Sequence, residues 1–390
     1  MDLFTDFKKM KVLHIVSGMG IKEGGVATCT YELVAGLRKS KTETEILSYE
    51  PAKGDRLISE EDYILSVKGK KLKFYLYSKQ FKKKIDSLND YHLYHANGVW
   101  QYPSHIAAVI ARKKKIPLVI SPHGMLYPQD LQKRKFFKKI LWRWFLKKDL
   151  NNATCIHATC MEEMNHLRSL GISAPIAVIP NPIGIIDYNF NNLQYQLNKK
   201  RSIGYLGRLD PRKNVECLIY AWYNLKDQMQ NEELVIIGSG DIKYENFLKN
   251  EVQRLQLTNV LFTGFLSGRE KYDRIASLSY LAVPSHFENF GMNIAEALSF
   301  KVPVLASKGT PWEDLITNNC GWWIENDIQS FTTAIHEAMR LSESKRLEMG
   351  ENGYNLIKNK YATDKVVYKM NLLYKSIVKG EFSSEMNFVY

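Results

Sequence analysis

The chain has 390 residues, 45% of them hydrophobic and 24% charged, with a formal net charge of +13. This composition excludes a disordered or fibrous protein, and the length predicts two domains of about 150 to 200 residues each. No run reaches the roughly 18 apolar residues of a membrane-spanning helix, the N-terminus lacks a secretory signal, and five scattered cysteines show neither disulfide nor zinc spacing, so we expect a cytosolic protein.

Short apolar strands alternate with helical stretches in the first half of the chain. Residues 12–16 form a β-branched run that ends in a glycine-rich loop, SGMGIKEGGVAT, and a helix is predicted at about 27–39. Further strands are predicted at 45–49, 93–95, 118–120 and 155–158, and residues 177–179 run into a sharp stop at Pro180-Asn181-Pro182. This alternation predicts a parallel sheet covered by helices.

The positive charge lies entirely in the first half. Residues 1–185 hold 30 Lys and Arg against 17 Asp and Glu, whereas residues 186–390 hold 24 of each. Such an asymmetry indicates that the first half meets an anionic partner. Because the sequence has no zinc-finger spacing and no aromatic ribonucleoprotein motif, we expect that partner not to be nucleic acid.

The densest basic stretch runs from Lys133 to Lys148 (KRKFFKKILWRWFLKK), with eight cations, five aromatic residues and no acid. On a helix its apolar residues recur at three- and four-residue spacing, with cations on the flanks. The residues of this expected apolar face are Phe137, Leu141, Trp144 and Phe145. The pattern is typical of a helix that lies on an anionic membrane, and the alternative is a core helix with a solvated basic face.

The alternation restarts after residues 186–200, a polar, Asn-rich stretch that we interpret as a linker. In the second half, strands are predicted at 202–206, 234–237, 260–263, 280–283 and 302–306, and helices at about 329–341 and 363–378. The sequence therefore predicts the α/β class, with Rossmann-like domains at 1–185 and 201–364 and a cleft between them.

The strongest chemical motif lies at 280–313, where a buried strand is followed by the loop and helix of HFENFGMNIAEAL. Gly291 is expected to open the helix, whose free backbone amides and dipole favour a phosphate group. Glu288 lies just before those amides and can accept hydrogen bonds from sugar hydroxyls. Glu296, eight residues later, is expected two turns into the helix, where it can reach a ribose diol. A solvated helix face is the alternative interpretation of these acids.

A second motif, GRLDPRKN, follows the first predicted strand of the second half. Arg208 supplies a fixed cationic fork and Lys213 a point charge, and together they can neutralise a diphosphate. Gly238 and Gly240, after the next strand, indicate a tight turn with a close backbone approach.

Taken together, these motifs resemble those of retaining glycosyltransferases of the GT-B fold, specifically glycosyltransferase family 4. The pair Glu288 and Glu296, the GRLxxxKN loop and the IGSGD turn match the family in order and spacing. In the first half, the Gly24-Gly25-Val26 loop and the SPHGM stretch around His123 also match, so the resemblance covers essentially the whole chain.

The resemblance implies a role for each matching residue. Arg208 and Lys213 should bind the donor pyrophosphate, Glu296 the ribose and Glu288 the donor sugar. The backbone amides at Phe290, Gly291 and Met292 should assist in binding, and Gly24 and Gly25 should approach the phosphate or the acceptor. His123 should face the transferred sugar near its anomeric carbon. The alternative is a structural histidine whose hydrogen bonds are all made within the protein.

Further expectations concern the rest of the reaction. The resemblance implies retention by a front-face mechanism and a helix at 365–390 that crosses back toward the first domain. No Asp-x-Asp motif is present, so we expect no metal and no cofactor beyond the nucleotide-sugar donor. His95 and Asn97 (YHANGVW) look like an acceptor-side loop or packing residues, and Gly264 and Phe265 are expected to border the nucleobase.

The resemblance, together with the basic first half, thus implies a hexosyltransferase that builds a surface polysaccharide on a polyprenyl-diphosphate-linked acceptor at the inner face of the cell membrane. Two departures from the family pattern leave the hinge and the acceptor open: Asn181-Pro182-Ile183-Gly184 replaces the usual Asn-Gly, and LYPQD follows Met125 without a nearby Trp. One rival is a dinucleotide-dependent oxidoreductase, since Gly18-x-Gly20-x-x-x-Gly24 is one residue from the dinucleotide fingerprint. The other is a non-catalytic membrane-binding scaffold.

Overall fold

The strands of the chain form two separate parallel sheets, each in its own structural unit. The structure is a computed structural model that describes residues 10–68, 75–186, 200–382 and 386–390. The first unit combines Met1–Gly184 with Ala362–Tyr390, and the second is Ile185–Tyr361. Most of the predicted linker, residues 187–199, lies outside the described residues.

In the first unit, strands and helices alternate along the chain. The strands are β1 (Lys11–Gly18), β2 (Glu43–Tyr49), β3 (Ile64–Val67), β4 (Leu93–Asn97), β5 (Leu118–Ser121), β6 (Cys155–Ala158) and β7 (Ile176–Val178). The helices are α1 (Gly25–Lys39), α2 (Lys79–Ser87), α3 (Tyr102–Lys114), α4 (Pro128–Gln132), α5 (Lys135–Leu141), α6 (Lys147–Asn151), α7 (Met161–Ser169) and, from the end of the chain, α15 (Thr363–Lys379).

The second unit repeats this alternation. Its strands are β8 (Ser202–Leu206), β9 (Glu233–Ile237), β10 (Val260–Gly264), β11 (Tyr280–Val283), β12 (Val304–Ser307) and β13 (Gly321–Ile324). Its helices are α8 (Val215–Asn224), α9 (Ile242–Arg254), α10 (Gly268–Ala276), α11 (Met292–Ser299), α12 (Asp314–Thr317), α13 (Ile328–Arg340) and α14 (Glu343–Leu356).

Both sheets are doubly wound. The order is β3-β2-β1-β4-β5-β6-β7 in the first unit and β10-β9-β8-β11-β12-β13 in the second. Every pair of neighbouring strands is parallel. The strand order reverses between β1 and β4 and between β8 and β11, and ligands of such sheets bind outside the carboxyl ends of the strands at this point.

The described strands and helices include every strand predicted from the sequence, together with two strands that were not predicted. β3 (ILSV) and β13 (GWWI) are edge strands of four residues, and all four residues of β13 are half-buried. Both contain apolar residues, but a run of four is near the lower limit of strand length and cannot be told from a short buried loop or helix segment by its pattern alone.

Helix α15 covers one face of the first sheet. Its buried residues Val366, Met370 and Tyr374 pack with Val12 and Val119 of two sheet strands in one apolar cluster. Within the same unit, the last residues of the chain pair with the outer strand, since Val178 and Tyr390 each donate a backbone hydrogen bond between the two segments. The edge at β7 is therefore partly covered, which limits pairing with another chain.

A row of buried polar side chains crosses the face that α15 covers. At one end, His157 Nε2 lies 2.7 Å from the carbonyl oxygen of Ile179. A carbonyl only accepts, so Nε2 carries the hydrogen. Burial lowers the pKa of His157 to about 4, which keeps the ring neutral at pH 7. Its Nδ1 must therefore accept from the hydroxyl of Ser121, at 2.7 Å.

The same reasoning assigns the rest of the row. Because the Ser121 hydroxyl donates to His157, its oxygen accepts from His95 Nε2 at 2.6 Å, and His95 Nδ1 accepts from the Tyr374 hydroxyl at 2.5 Å. Tyr374 in turn accepts from His14 Nε2 at 3.2 Å. Burial lowers the pKa of His14 to about 3, so this ring is neutral as well. In every hydrogen bond of the row, the donor lies on the His14 side and the acceptor on the Ile179 side. Tyr374 thereby connects α15 to strands β1 and β4.

The basic stretch from Lys133 to Lys148 is not one regular helix. Arg134 adopts a left-handed conformation before α5, and the five residues from Trp142 to Leu146 form a turn of π-helix before α6. The side chains of Phe136 and Trp144 are 80% and 77% exposed.

The predicted apolar face of this stretch was therefore wrong in part. Of the four residues predicted for that face, Leu141 is buried, Phe137 and Phe145 are half-buried, and Trp144 points outward, whereas Leu146, which was not predicted, is buried. In a regular α-helix Phe136 and Trp144 would be about 80° apart around the axis. The wider π-turn advances less per residue and reduces that separation. Within the described residues, no helix is both long and apolar enough to cross a bilayer.

We predict that Tyr374→Phe destabilises the first unit. The substitution leaves His95 Nδ1 and the His14 Nε2 hydrogen buried without partners, so the free energy of unfolding should fall by about 1 to 3 kcal/mol. Denaturant titration of the purified chain measures this change. Tyr368→Phe is the control, because Tyr368 lies on the same helix and is 63% exposed. Equal stabilities of the two variants would contradict the role of the hydroxyl.

Candidate functional site

In the second unit, the loops that follow β8 and β9 are held together by their backbones. Gly207 donates to the carbonyl of Ile237 at 3.0 Å, and Leu209 donates to that of Ser239 at 3.1 Å. A Cβ at Gly238 would lie 1.9 Å from the carbonyl oxygen of Gly207, so only glycine permits this approach. The close approach predicted for the IGSGD turn thus serves to position the Arg208 loop.

The Arg208 loop presents two cations at the end of β8. Asp210 caps a short 3-10 turn by accepting from the amide of Arg212 at 3.1 Å, and Lys213 closes that turn. Arg208 is exposed, and its guanidinium makes no hydrogen bond or ion pair with the part of the chain that the structure describes. Lys213 forms an ion pair with Glu288. The structure therefore brings together two of the predicted site residues and leaves Arg208 available.

Glu288 lies in the loop after β11 and is fixed by three contacts. Its Oε1 accepts from Ser285 Oγ at 2.7 Å and from Lys213 Nζ, and its amide donates to the carbonyl of Gly309 at 2.8 Å. Its Oε2 accepts no hydrogen bond from the described residues. One oxygen of this carboxylate thus sets the side-chain orientation, and the other can accept from a ligand hydroxyl. Ser285 was not predicted from the sequence as part of this site.

The start of α11 is built to leave its amides open. Gly291 precedes the helix with φ +78°, a left-handed conformation that favours glycine, and offers no side chain as a cap. Asn293 Oδ1 accepts from the amide of Ile294 at 3.1 Å, so the amides open to a ligand are those that precede Ile294. The carbonyl of Phe290 accepts from the indole of Trp312, and Asn293 donates to the carbonyl of Leu206 at 2.8 Å. Asn293 therefore ties the helix start to the end of β8, on the other side of the strand-order reversal. An uncapped helix start at this place favours an anionic group.

Glu296 lies one turn into α11 rather than two, because the helix begins at Met292. Its Oε1 forms an ion pair of 2.9 Å with Lys271 of α10, and both side chains are about one-fifth exposed. Its Oε2 accepts no hydrogen bond from the described residues. Lys271 was not predicted as a site residue, since a single lysine in the sequence REKYDR carries no distinguishing signal.

Gly264 and Phe265 lie where β10 ends. Gly264 accepts a hydrogen bond of 2.9 Å from the amide of Gly238, which places this loop beside the two loops described above. The ring of Phe265 is 54% exposed. An exposed aromatic ring at the carboxyl end of a strand can stack on a planar group.

In the first unit, Gly24 and Gly25 form the start of α1. Gly24 has φ +83° and precedes the helix, and no side chain caps the helix amides. Added Cβ atoms at the two glycines would have nothing within 4 Å. Both glycines therefore border open space at the carboxyl end of β1.

The glycines of the loop before α1 do not border open space for a dinucleotide. A Cβ at Gly18 would lie 2.6 Å from Glu23 Oε1, and one at Gly20 would lie 2.1 Å from Asp55 Oδ2. Two carboxylates thus occupy the space beside these glycines, where a pyrophosphate would be repelled. This packing argues against the oxidoreductase alternative.

His123 follows β5 in a left-handed conformation with φ +52°, which is uncommon for a residue with a side chain. Burial, with a contribution from His157, lowers the pKa of His123 to about 3, so its ring is neutral at pH 7. Its Nε2 lies 3.1 Å from Oδ1 of Asn97. The amide of the next residue, Gly124, donates to Oε1 of Glu163 at 2.6 Å.

Glu163 is a buried carboxylate that sequence reasoning missed. Besides Gly124, it accepts from the amide and the hydroxyl of Thr159, at 2.8 Å and 3.1 Å, and it is 2% exposed. An acidic residue at the third position of a helix is a known helix-start pattern, and the CMEE sequence at the start of α7 carries it. Its long-range contact with the His123 loop has no counterpart in the sequence pattern.

The prediction that His95 contacts an acceptor is not supported by its surroundings. The residue is fully buried, and both ring nitrogens already form hydrogen bonds, to Tyr374 and Ser121. The side chain of Asn97 is also buried, at 4% exposure, and bonds within the unit. Packing, the alternative interpretation, explains His95, because β4 is a central strand covered on both faces, whereas the side chain of Asn97 is held between His95 and His123.

Among residues 10–68, 75–186, 200–382 and 386–390, no group of three or more His, Cys, Asp or Glu side chains is arranged to hold a metal ion. The charged residues that the sequence predicts for the site in the second unit are Arg208, Lys213, Glu288 and Glu296.

Two family models together match most of the chain. The model for glycosyl transferases group 1 matches residues 190–356, and that for glycosyltransferase family 4 matches residues 23–185. The chain is 27% identical over 284 residues to an uncharacterized glycosyltransferase of Methanocaldococcus jannaschii, which covers 70% of this chain and 72% of that protein. It is 21% identical to the O-antigen chain mannosyltransferase C of Escherichia coli, over 95% of this chain and 100% of that protein.

A solved structure shares the fold. HepE of Anabaena, crystallised in complex with UDP-glucose, superposes with a TM-score of 0.75 at 18% identity, over 94% of this chain and 100% of that one. This likeness confirms the predicted GT-B architecture of two parallel sheets covered by helices.

We predict that Glu163→Gln lowers the melting temperature by several degrees. The carboxylate accepts from three donors, and a glutamine would place its own NH2 group against one of them, at a cost of about 1 to 3 kcal/mol. Differential scanning fluorimetry can compare this variant with Glu162→Gln, whose side chain is exposed on the same helix. The interpretation fails if the two substitutions shift the melting temperature equally.

Proposed function

Since the chain belongs to glycosyltransferase family 4, a family of retaining enzymes, we propose that it transfers a hexose from a nucleoside-diphosphate sugar to a hydroxyl of a lipid-linked glycan, without a metal ion. One observation carries the donor half of this proposal. Arg208 and Lys213 lie on one side of the strand-order reversal, the uncapped start of α11 lies on the other, and Asn293 joins the two.

These groups suit the leaving group of the reaction. As the bond between the anomeric carbon and the diphosphate oxygen breaks, negative charge grows on the diphosphate. The free guanidinium of Arg208, the ammonium of Lys213 and the helix amides can stabilise that charge in place of Mg²⁺. In a front-face mechanism the acceptor oxygen attacks on the same face, and its proton passes to the leaving phosphate oxygen.

The two glutamates suit the rest of the donor. Glu288 has one oxygen held by Ser285 and Lys213, so its Oε2 can accept from a hydroxyl of the transferred sugar. Glu296 has one oxygen held by Lys271, and its Oε2 can accept from a ribose hydroxyl. Phe265 offers an exposed ring to the nucleobase. We assign His123 to the transferred sugar. We assign the Gly24-Gly25 turn to the donor phosphate or to the acceptor.

The acceptor is proposed from the positive charge of the first half of the chain and from the name of one relative. We assign the protein to surface-polysaccharide synthesis at the inner face of the cell membrane, with a polyprenyl-diphosphate glycan as acceptor. The excess charge of residues 1–185 suits an anionic lipid acceptor, and the Escherichia coli relative is an O-antigen chain mannosyltransferase.

Membrane contact is assigned to a basic aromatic surface on the first unit. We define it by its exposed residues Lys135, Phe136, Lys139, Arg143, Trp144, Lys147 and Lys148. Exposed aromatic rings sit at the level of lipid headgroups, and cations near an anionic membrane contribute about 1 kcal/mol each. The surface holds both classes of residue and no acid.

We predict that Arg208→Ala weakens nucleoside-diphosphate binding at least tenfold, because a charge-assisted contact contributes about 1.5 to 3 kcal/mol. Isothermal titration calorimetry with UDP and with GDP, in EDTA, measures this change and identifies the base. Arg340→Ala is the control, since Arg340 is exposed at the end of α13 in the same unit. Binding that requires Mg²⁺, or that is unchanged in Arg208→Ala, would count against the proposed donor site.

We predict that replacing Trp144 by Ser together with Lys139 and Arg143 by Gln lowers binding to phosphatidylglycerol vesicles at least tenfold in a co-sedimentation assay. The matched control is Phe247→Ser with Lys243→Gln and Lys249→Gln on α9 of the second unit, which removes an exposed aromatic residue and two exposed cations elsewhere. If both triple variants bind equally well, the basic aromatic surface is not the membrane contact.

A further inference from the structure

The side chain of Asn97 links the end of β4 to the loop that carries His123. Its Nδ2 donates to the carbonyl oxygen of His95 at 3.3 Å, and its Oδ1 lies 3.1 Å from His123 Nε2. Asn97 is 4% exposed, so water does not compete freely for these contacts. Both functional atoms of the amide are therefore committed.

These contacts determine where the hydrogen on the His123 ring lies. If the amide of Asn97 were turned around, its oxygen would face the carbonyl oxygen of His95, and two acceptors would oppose each other. The amide orientation is therefore fixed, and Oδ1 faces the imidazole. Because an amide oxygen only accepts, His123 Nε2 must carry the hydrogen.

The other ring nitrogen is then an acceptor. A neutral imidazole carries one hydrogen, and burial keeps His123 neutral at pH 7 by lowering its pKa to about 3. Its Nδ1 forms no hydrogen bond with the described residues, and the residue is half-buried rather than enclosed. A ligand that reaches the ring thus meets a lone pair and not an N–H group.

The titratable neighbours favour the same state. His157 on β6 has its ring centre 6.5 Å from that of His123, Glu163 on α7 accepts from the adjacent amide of Gly124, and His95 on β4 supplies the carbonyl that orients Asn97. A proton on His123 would face the other histidines, and the carboxylate of Glu163 already accepts from three donors.

We propose that Asn97 is a positioning residue that fixes His123 as the Nε2–H tautomer, so that His123 meets the transferred sugar as a hydrogen-bond acceptor through Nδ1. This inference rests on the proposed function. It also narrows the donor class, because a lone pair accepts from a sugar hydroxyl and repels a carboxylate. The enzyme should therefore favour a neutral hexose over a uronic acid at this position.

The first test is spectroscopic and needs no substrate. In protein labelled with ¹⁵N-histidine at pH 7, long-range ¹H–¹⁵N correlation spectra distinguish the two tautomers, and His123→Gln assigns the signal. We expect the Nε2–H pattern in the wild type and a mixture in Asn97→Leu. An Nδ1–H pattern, or a mixture in the wild type, overturns the proposal whatever the enzyme transfers.

The second test is kinetic, with UDP-glucose and GDP-mannose as donors and release of the nucleoside diphosphate as the readout. Asn97→Leu should lower kcat about tenfold. Asn97→Asp keeps an acceptor for Nε2–H, although its second oxygen faces the carbonyl of His95, so it should restore part of this loss at pH 8. Its added negative charge raises the pKa of His123, so its rate should fall with decreasing pH at values where the wild-type rate is constant.

The kinetic test has a control variant, and the outcomes of the two tests bear on different parts of the proposal. Asn152→Leu, an exposed asparagine of the same unit, should leave kcat unchanged. If Asn97→Asp is as impaired as Asn97→Leu at pH 8, Asn97 has only a packing role and the proposal fails. If the tautomer is as expected but neither donor is consumed by the wild type, the assignment of His123 to these donor sugars is wrong, whereas the tautomer assignment stands.

Discussion

The parallel direction of every strand is the constraint on which the candidate site depends. Because all strands of a sheet run the same way, the loops at their carboxyl ends emerge along one edge and must satisfy one another's backbone groups. In the second unit, Gly207 bonds to Ile237 and Gly238 to Gly264, so three loops form one hydrogen-bonded layer. The charged side chains are attached to that layer, and their positions follow from it.

The parts of the molecule that could be predicted from sequence are those in which local pattern and tertiary role coincide. Central strands such as 202–206 are apolar throughout because helices cover both faces. The groups around Glu288 could be predicted because a strand, a loop, a glycine in a left-handed conformation and a helix follow one another within a dozen residues. All the chemistry of that motif is local, so its spacing is visible in the sequence.

Features that depend on distant partners could not be predicted. The pairing of Lys271 with Glu296, the contact of Glu163 with Gly124 and the contact of Asn97 with His123 join residues 25 to 39 positions apart. No periodicity encodes such a choice of partner. The π-turn after Leu141 is different, since it is local, but it shifts the helix phase by an amount that a fixed spacing of three and four residues cannot represent.

The first unit is interrupted in the chain by the whole of the second, and this has a consequence for the order of folding during synthesis. Residues 185–361 are continuous and leave the ribosome before α15, whose residues Met370 and Tyr374 cover the first sheet. Domains usually fold from the N-terminus onward. Here the second unit can fold first, while the earlier-made sheet keeps one apolar face open. A nascent chain stalled after residue 361 would therefore be a target for chaperones that bind exposed apolar surface.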